Sequence, residues 1–226
     1  MSVSSALLRL YRPVILPFVS ILVACELVAV IWLASVKRPD FSMWLVLAGS
    51  AEKYWLLVIG IILVSMNLRQ FVANGVTRRE FLTGSAIYGL TLALGWSVAL
   101  VLGHVVEYLL LGAFGRRGDD YPGIGPVDLL DHFGHVLPLA LAWLVTGAVI
   151  AAGFYRWRAW LGLIAMLGGA LPAAVAEGLL AYDEFGSGPD RLPYPAAVAI
   201  SLVVTVLGAL AGYRALGDVP IRRTAG

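Results

Sequence analysis

The 226 residues are 60% hydrophobic and only 13% charged, and the net charge is +2. A soluble domain is about half apolar and about a quarter charged, so this composition excludes an ordinary water-soluble enzyme and favours a protein embedded in a lipid bilayer. The single cysteine, Cys25, excludes an internal disulfide and the multi-thiol spacings of zinc and haem sites.

Six apolar stretches are long enough to cross a bilayer, which takes about 20 mostly apolar residues. We predict helices because backbone groups in lipid must satisfy their own hydrogen bonds. The expected fold is an all-α polytopic membrane protein, a single transmembrane domain over 1–226. Its six transmembrane helices cover residues 14–36, 43–66, 81–104 with an alternative end at 111, 136–155, 160–182 and 196–213. The second span is the weakest, because Glu52 and Lys53 interrupt it.

The N-terminal segment, residues 1–12, has an apolar side flanked by arginines. We predict an N-terminal interfacial helix, turned into the first span by Pro13. A disordered tail is the alternative. The apolar side consists of Leu7, Leu8, Leu10 and Tyr11, beside Arg9 and Arg12.

The distribution of positive charge predicts the orientation, because cytoplasmic loops carry an excess of Lys and Arg. With both termini cytoplasmic, ten of the 16 Lys and Arg residues face the cytoplasm: Arg9, Arg12, Arg69, Arg78, Arg79, Arg156, Arg158, Arg214, Arg222 and Arg223. The outer side then holds Lys37, Arg38, Lys53, Arg116, Arg117 and Arg191. We therefore predict a multi-pass protein of the cell membrane with its N-terminus and C-terminus in the cytoplasm.

The connection between spans two and three, residues 67–80, is predicted to form a bent basic elbow in the cytoplasm. The Asn74-Gly75 pair favours a turn with positive φ. Thr77 then caps a new helix, and Glu80 three residues later completes a capping box. This coupling elbow has the shape to contact a soluble partner, or it only fixes the orientation of the chain.

The run from Phe71 to Gly84, FVANGVTRREFLTG, resembles the coupling-helix region of ABC transporter permeases of the type-2 exporter class. Those subunits carry a glycine, a small or β-branched pair, two arginines and an aromatic-leucine pair between spans two and three. The likeness extends to six spans, cytoplasmic termini, an N-terminal interfacial helix and chain length. One difference is that the longest outer loop lies between spans three and four rather than five and six.

The resemblance implies a transport subunit rather than an enzyme, without a cofactor of its own. A cytoplasmic ABC ATPase subunit would bind ATP and Mg²⁺ on a separate chain, which agrees with the absence of a G-x-x-x-x-G-K-[ST] loop here. A second permease copy or a paralogue would complete a dimer in the membrane lipid, with no nucleic acid partner, and export is the expected direction. The ATPase-coupling residues would be Arg69, Phe71, Asn74, Gly75, Thr77, Arg78, Arg79 and Glu80.

The outer loop, residues 104–135, is predicted to be extracellular, with short helices at 104–114 and 127–135 around a turn-rich middle. Four of its side chains share one helix face and can bind a divalent metal such as zinc. A solvated polar face is the alternative. These four are Asp128, Asp131, His132 and His135, and His104 with Glu107 can approach from the other half of the loop.

Two carboxyl groups within spans, Glu26 and Glu177, are candidates for the translocation path because ionisable groups in lipid are costly. They would bind a cation or relay protons, or else serve helix packing. The alternative function is therefore a self-contained channel or proton-coupled secondary transporter, with an intramembrane enzyme using the Asp/His cluster as a third. Pro172 is expected to kink span five, and Gly208 and Gly212 suit close helix contact.

Overall fold

The computed structural model describes residues 2–36, 38–180 and 192–217. Within those ranges six helical segments are long and apolar enough to cross a membrane, which confirms the predicted all-α polytopic fold. Lys37, Arg191, Arg222 and Arg223 lie outside the described residues, as do positions 181 and 182 of span five. The α-helices are α1 (Val3–Val36), α2 (Met43–Ile62), α3 (Leu68–Ala73), α4 (Arg78–Ala113), α5 (Pro126–Arg156), α6 (Ala159–Gly169), α7 (Leu171–Leu180) and α8 (Tyr194–Gly217).

The first helix, α1, is continuous through both of its prolines, Pro13 and Pro17. The expected turn at Pro13 is therefore wrong. Tertiary packing explains the difference, because Leu7 and Tyr11 are buried among other helices and hold the first turns in line. The position of residues 1–12 in the membrane interface stays a prediction.

The second span is helical throughout but changes its winding. A π-helical turn, Leu63–Asn67, lies between α2 and α3. Within it the buried side-chain amide of Asn67 donates a hydrogen bond of 2.6 Å to the hydroxyl of Tyr11 on α1. The ring of Tyr11 stacks on Tyr88 of α4 at 5.5 Å between centroids. The three helices α1, α2 and α4 are thus joined just before the coupling elbow.

The two short helices expected in the outer loop do not exist as separate elements. Residues 104–113 belong to α4, and residues 126–135 belong to α5. With 36 residues, α4 is about 54 Å long, far more than the roughly 30 Å of bilayer hydrocarbon. Hydropathy placed the end of span three too early and the start of span four too late, because His104 and His132 are polar. Both side chains are nevertheless buried against protein.

Span five breaks where its sequence predicts a kink. Helix α6 ends at Gly169 and α7 begins at Leu171, just before Pro172. The hydroxyl of Thr146 on α5 accepts a hydrogen bond of 3.1 Å from the backbone N–H of Ala173. A backbone donor near the break is therefore satisfied by the neighbouring helix, as lipid requires.

Glycines set the closest helix contacts. A side chain at Gly60 of α2 would collide with the backbone of α5, its Cβ lying 2.9 Å from the nitrogen of Ala148. A side chain at Gly147 would collide in turn with the backbone of α2. In α8, Gly208 contacts Pro172 and Gly212 contacts Val149, so the predicted close contact occurs within the chain. Small residues let these backbones approach closely.

Candidate functional sites at the two ends of the bundle

One end of the bundle brings the coupling elbow together with the start of α1 and the end of α8. Gly84 at the start of α4 leaves room for Val3, and the guanidinium of Arg78 reaches the carbonyl oxygen of Leu216. Arg156 donates to the carbonyl oxygen of Ala215 at 2.9 Å. Basic side chains therefore gather at this end: Arg69, Arg78, Arg79, Arg156, Arg158 and Arg214.

The elbow itself has the predicted geometry. Gly75 has a φ of 87°, which ends α3 in a turn. Thr77 caps α4 by accepting a hydrogen bond of 3.3 Å from the N–H of Glu80, whose carboxylate accepts from the N–H of Thr77 at 2.9 Å. The capping box predicted from the Thr77–Glu80 spacing is confirmed. These contacts fix the start of α4 directly after the turn at Gly75.

The eight predicted coupling residues divide into two groups. Phe71 is half-buried with its ring 5.4 Å from that of Phe81, and Arg78 is half-buried beside the end of α8. These two residues therefore contribute to packing. The remaining six are exposed: Arg69, Asn74, Gly75, Thr77, Arg79 and Glu80.

The opposite end contains a buried polar cluster centred on Glu107. Its carboxylate accepts hydrogen bonds from the hydroxyl of Ser42 and from the backbone N–H groups of Met43 at 3.0 Å and Trp44 at 3.2 Å. A carboxylate at a helix N-terminus satisfies free N–H groups and complements the helix dipole. Glu107 therefore anchors the start of α2 to α4. Sequence reasoning considered Glu107 only as a side chain that can approach the predicted metal ligands, and it did not identify Ser42.

Glu26 lies beside Glu107, which lies 81 positions further along the chain, and is only 7% exposed. Neither carboxyl oxygen of Glu26 has a hydrogen-bond partner within the described ranges. Tyr121 lies beside Ser42 and Glu107, and burial raises the pKa of its hydroxyl, which therefore keeps its proton at neutral pH. Two carboxyl groups and one phenol thus meet between α1, α4 and the outer loop.

The four predicted metal ligands engage different partners. Asp128 accepts from the N–H of Gly125 at 3.0 Å, and Asp131 lies 3.6 Å from Nδ1 of His135. His132 is buried with its ring 5.1 Å from the ring of His104. In the described part of the chain, no group of three or more His, Cys, Asp or Glu residues is arranged to hold a metal ion. The shared helix face predicted proximity, but burial turns His132 inward while Asp128 stays exposed.

Glu177 forms an ion pair with Lys53 of α2. Its second carboxyl oxygen accepts a hydrogen bond of 3.3 Å from the indole N–H of Trp143 on α5. These contacts join α7 to α2 and α5, which agrees with the helix-packing alternative. A role for Glu177 in a translocation path stays a prediction.

A cavity opens between α2, α5 and the end of α7, and Glu52 is the buried carboxyl that lines it. Sequence reasoning treated Glu52 only as an interruption of span two. Its side chain is 4% exposed, and its Oε1 has no hydrogen-bond partner in the described structure. Because Glu52 is followed directly by the charged Lys53, the sequence suggested an exposed end of the helix, and the burial of Glu52 was not predicted. The ion pair of Lys53 with Glu177 adjoins this cavity, which we name the outer cavity because it lies at the same end of the bundle as the loop predicted to be extracellular.

Compared with models of known protein families, with curated proteins and with solved structures, the chain matches none.

Proposed function

We propose that this chain is the membrane-spanning permease subunit of an ATP-driven exporter and that a separate cytoplasmic ABC ATPase docks on its elbow. One observation carries the proposal. The elbow combines an exposed Arg69 and Arg79 with a helix start fixed by the Thr77–Glu80 capping box. A basic, exposed bend with a capped helix start suits a docking element better than a loop that only fixes orientation, which needs charge but no defined shape.

The path from the elbow into the membrane is short. Helix α3 continues into the π-helical turn, whose Asn67 is bonded to Tyr11 of α1. Phe71 contacts Phe81, so α3 and α4 would move together. Closure of two ATPase subunits would therefore displace α1, α2 and α4 as a group. Two copies of this chain, or one copy and a paralogue, would present two elbows to an ATPase pair.

A self-contained proton-coupled transporter or channel is the second candidate. The observation that favours it is the pair of buried carboxyl groups, Glu26 and Glu52, on neighbouring helices at the outer end. Ionisable groups at membrane depth are costly and mark substrate or proton pathways. This function needs no ATPase, so flux driven by a proton gradient through the purified chain alone would support it.

Association with an ATPase tests the first proposal. The tagged chain is purified from its native membrane, and we expect it to retain a polypeptide with a Walker A loop. The double substitution Arg69→Glu and Arg79→Glu should abolish that association, because like charges then replace the basic docking face. Arg78 is left intact because it supports α8.

A control variant reverses the charge of one arginine at the other end of the bundle. Arg116 is also exposed but follows the end of α4 at the outer side. The substitution Arg116→Glu should leave the ATPase bound. An association that survives the double substitution would contradict docking on the elbow.

A further inference from the structure

We propose that the outer cavity binds a hydrophobic organic cation, with the carboxylate of Glu52 as its counter-charge. A ligand of this class would be the substrate of the proposed transport function, on which this assignment rests. The cavity is bounded by α2 and α5, with Leu100 of α4 and Leu180 of α7 at its sides.

The walls of the cavity are mainly apolar and partly aromatic. Leu45 and Val46 of α2 face Leu139 and Trp143 of α5 across it. Apolar walls stabilise the hydrophobic body of a ligand by removing it from water. An indole face also attracts a cation, an effect that grows when water is excluded.

The carboxyl group of Glu52 has no ammonium of its own, so the cavity carries an uncompensated negative charge whenever Glu52 ionises. Glu52 and Lys53 are adjacent on α2, but the ammonium of Lys53 is bound to Glu177. Two carboxyl groups therefore meet one ammonium. Trp96 lies beside Glu52 and offers only a neutral N–H. A buried carboxylate without a cation is expensive, and a ligand cation offsets that cost.

The remaining titratable groups of the lining do not supply the missing charge. His135 is next to Asp131, whose carboxylate is 3.6 Å away, and His132 packs against the ring of His104. The described residues place no further carboxylate in the lining, so a bare metal ion has too few ligands there. An organic cation needs one counter-charge and an apolar wall, and the cavity has both.

Direct binding tests the proposal without any ATPase. The purified chain in lipid nanodiscs is titrated with radiolabelled tetraphenylphosphonium, and triphenylphosphine oxide, which has a similar aryl body but no net charge, serves as the competitor. We expect tetraphenylphosphonium to bind and triphenylphosphine oxide not to displace it. Displacement by triphenylphosphine oxide at equal concentration would show that charge is not recognised and would overturn the proposal.

Two variants locate the bound cation. Glu52→Gln should weaken binding about tenfold or more, because the neutral amide no longer attracts the cation in a site from which water is largely excluded. Asp120→Asn, at an exposed position outside the cavity, is the control and should bind as wild type. Gly49→Leu should also weaken binding, because Gly49 lines the cavity and a Cβ there meets open space. Unchanged binding in Glu52→Gln and Gly49→Leu would overturn the assignment.

This outcome is independent of ATPase docking. If the wild-type chain binds an ATPase but no organic cation, only the ligand class is rejected. Retained cation binding without an ATPase partner would keep the cavity assignment and reject the exporter.

Discussion

Asn67 donates a buried hydrogen bond of 2.6 Å to the hydroxyl of Tyr11, across 56 positions of sequence. The bond joins the π-helical turn at the end of α2, whose last residue is the first of the coupling elbow, to the first helix. A displaced elbow would therefore act first on span one, through this contact.

We expect Tyr11→Phe to lower the free energy of unfolding by about 1–3 kcal/mol, because the buried amide of Asn67 loses its acceptor. A thermal unfolding assay in detergent measures the change. Tyr54→Phe is the matched control, since Tyr54 is 65% exposed. Equal stability of the two variants would mean that the bond contributes nothing. ATPase association should survive Tyr11→Phe, because the elbow surface is untouched.

The glycine contact between α2 and α5 predicts a strong steric effect from one methyl group. Gly60→Ala should destabilise the fold by about 1–3 kcal/mol, the usual cost of overpacking, because its Cβ meets backbone that cannot move aside. Gly49→Ala in the same helix provides the control, since a Cβ there has nothing within 4 Å. The comparison is read from thermal unfolding, and a Gly60→Ala variant as stable as Gly49→Ala would contradict the close approach.

The parts of the fold that were predictable are those written in local sequence. Apolar length gave the six spans, the Thr77–Glu80 spacing gave the capping box, and Pro172 gave the break in span five. Each depends on residues within one helical turn or one continuous stretch. The shape of the elbow could therefore be predicted from local sequence alone.

The candidate sites at the outer end were not predictable in the same way. Glu107 meets the start of α2 across more than 60 positions, and Lys53 meets Glu177 across 124. Such pairs depend on how helices pack, which periodicity within one helix does not report. Asp128 and His132 are one helical turn apart, but Asp128 is bonded to the backbone of Gly125, whereas His132 packs against the ring of His104.

The ion pair of Lys53 with Glu177 predicts non-additive mutations. Lys53→Met and Glu177→Gln should each destabilise the fold, because each leaves a partly buried charge without its partner. The double variant should be less destabilised than the sum of the two, as contacting residues are coupled. Thermal unfolding of the four proteins completes the cycle, and additive effects would show that the pair is not coupled.

The predicted orientation is tested with single cysteines. Cys25 is the only native cysteine, so Cys25→Ala provides a cysteine-free background. In intact cells a membrane-impermeant maleimide should label Arg116→Cys, and it should label Arg79→Cys only after permeabilisation. The reverse pattern would place the elbow outside and exclude docking to a cytoplasmic ATPase.

The most direct test of the central claim is a crosslink from the elbow. A photoreactive residue at position 79 should capture, in native membranes, a polypeptide that carries a Walker A loop, whereas the same residue at position 116 should not. Capture from position 79 that is lost on Arg69→Glu would establish docking on the elbow. Capture of that ATPase from position 116 but not from position 79 would contradict it.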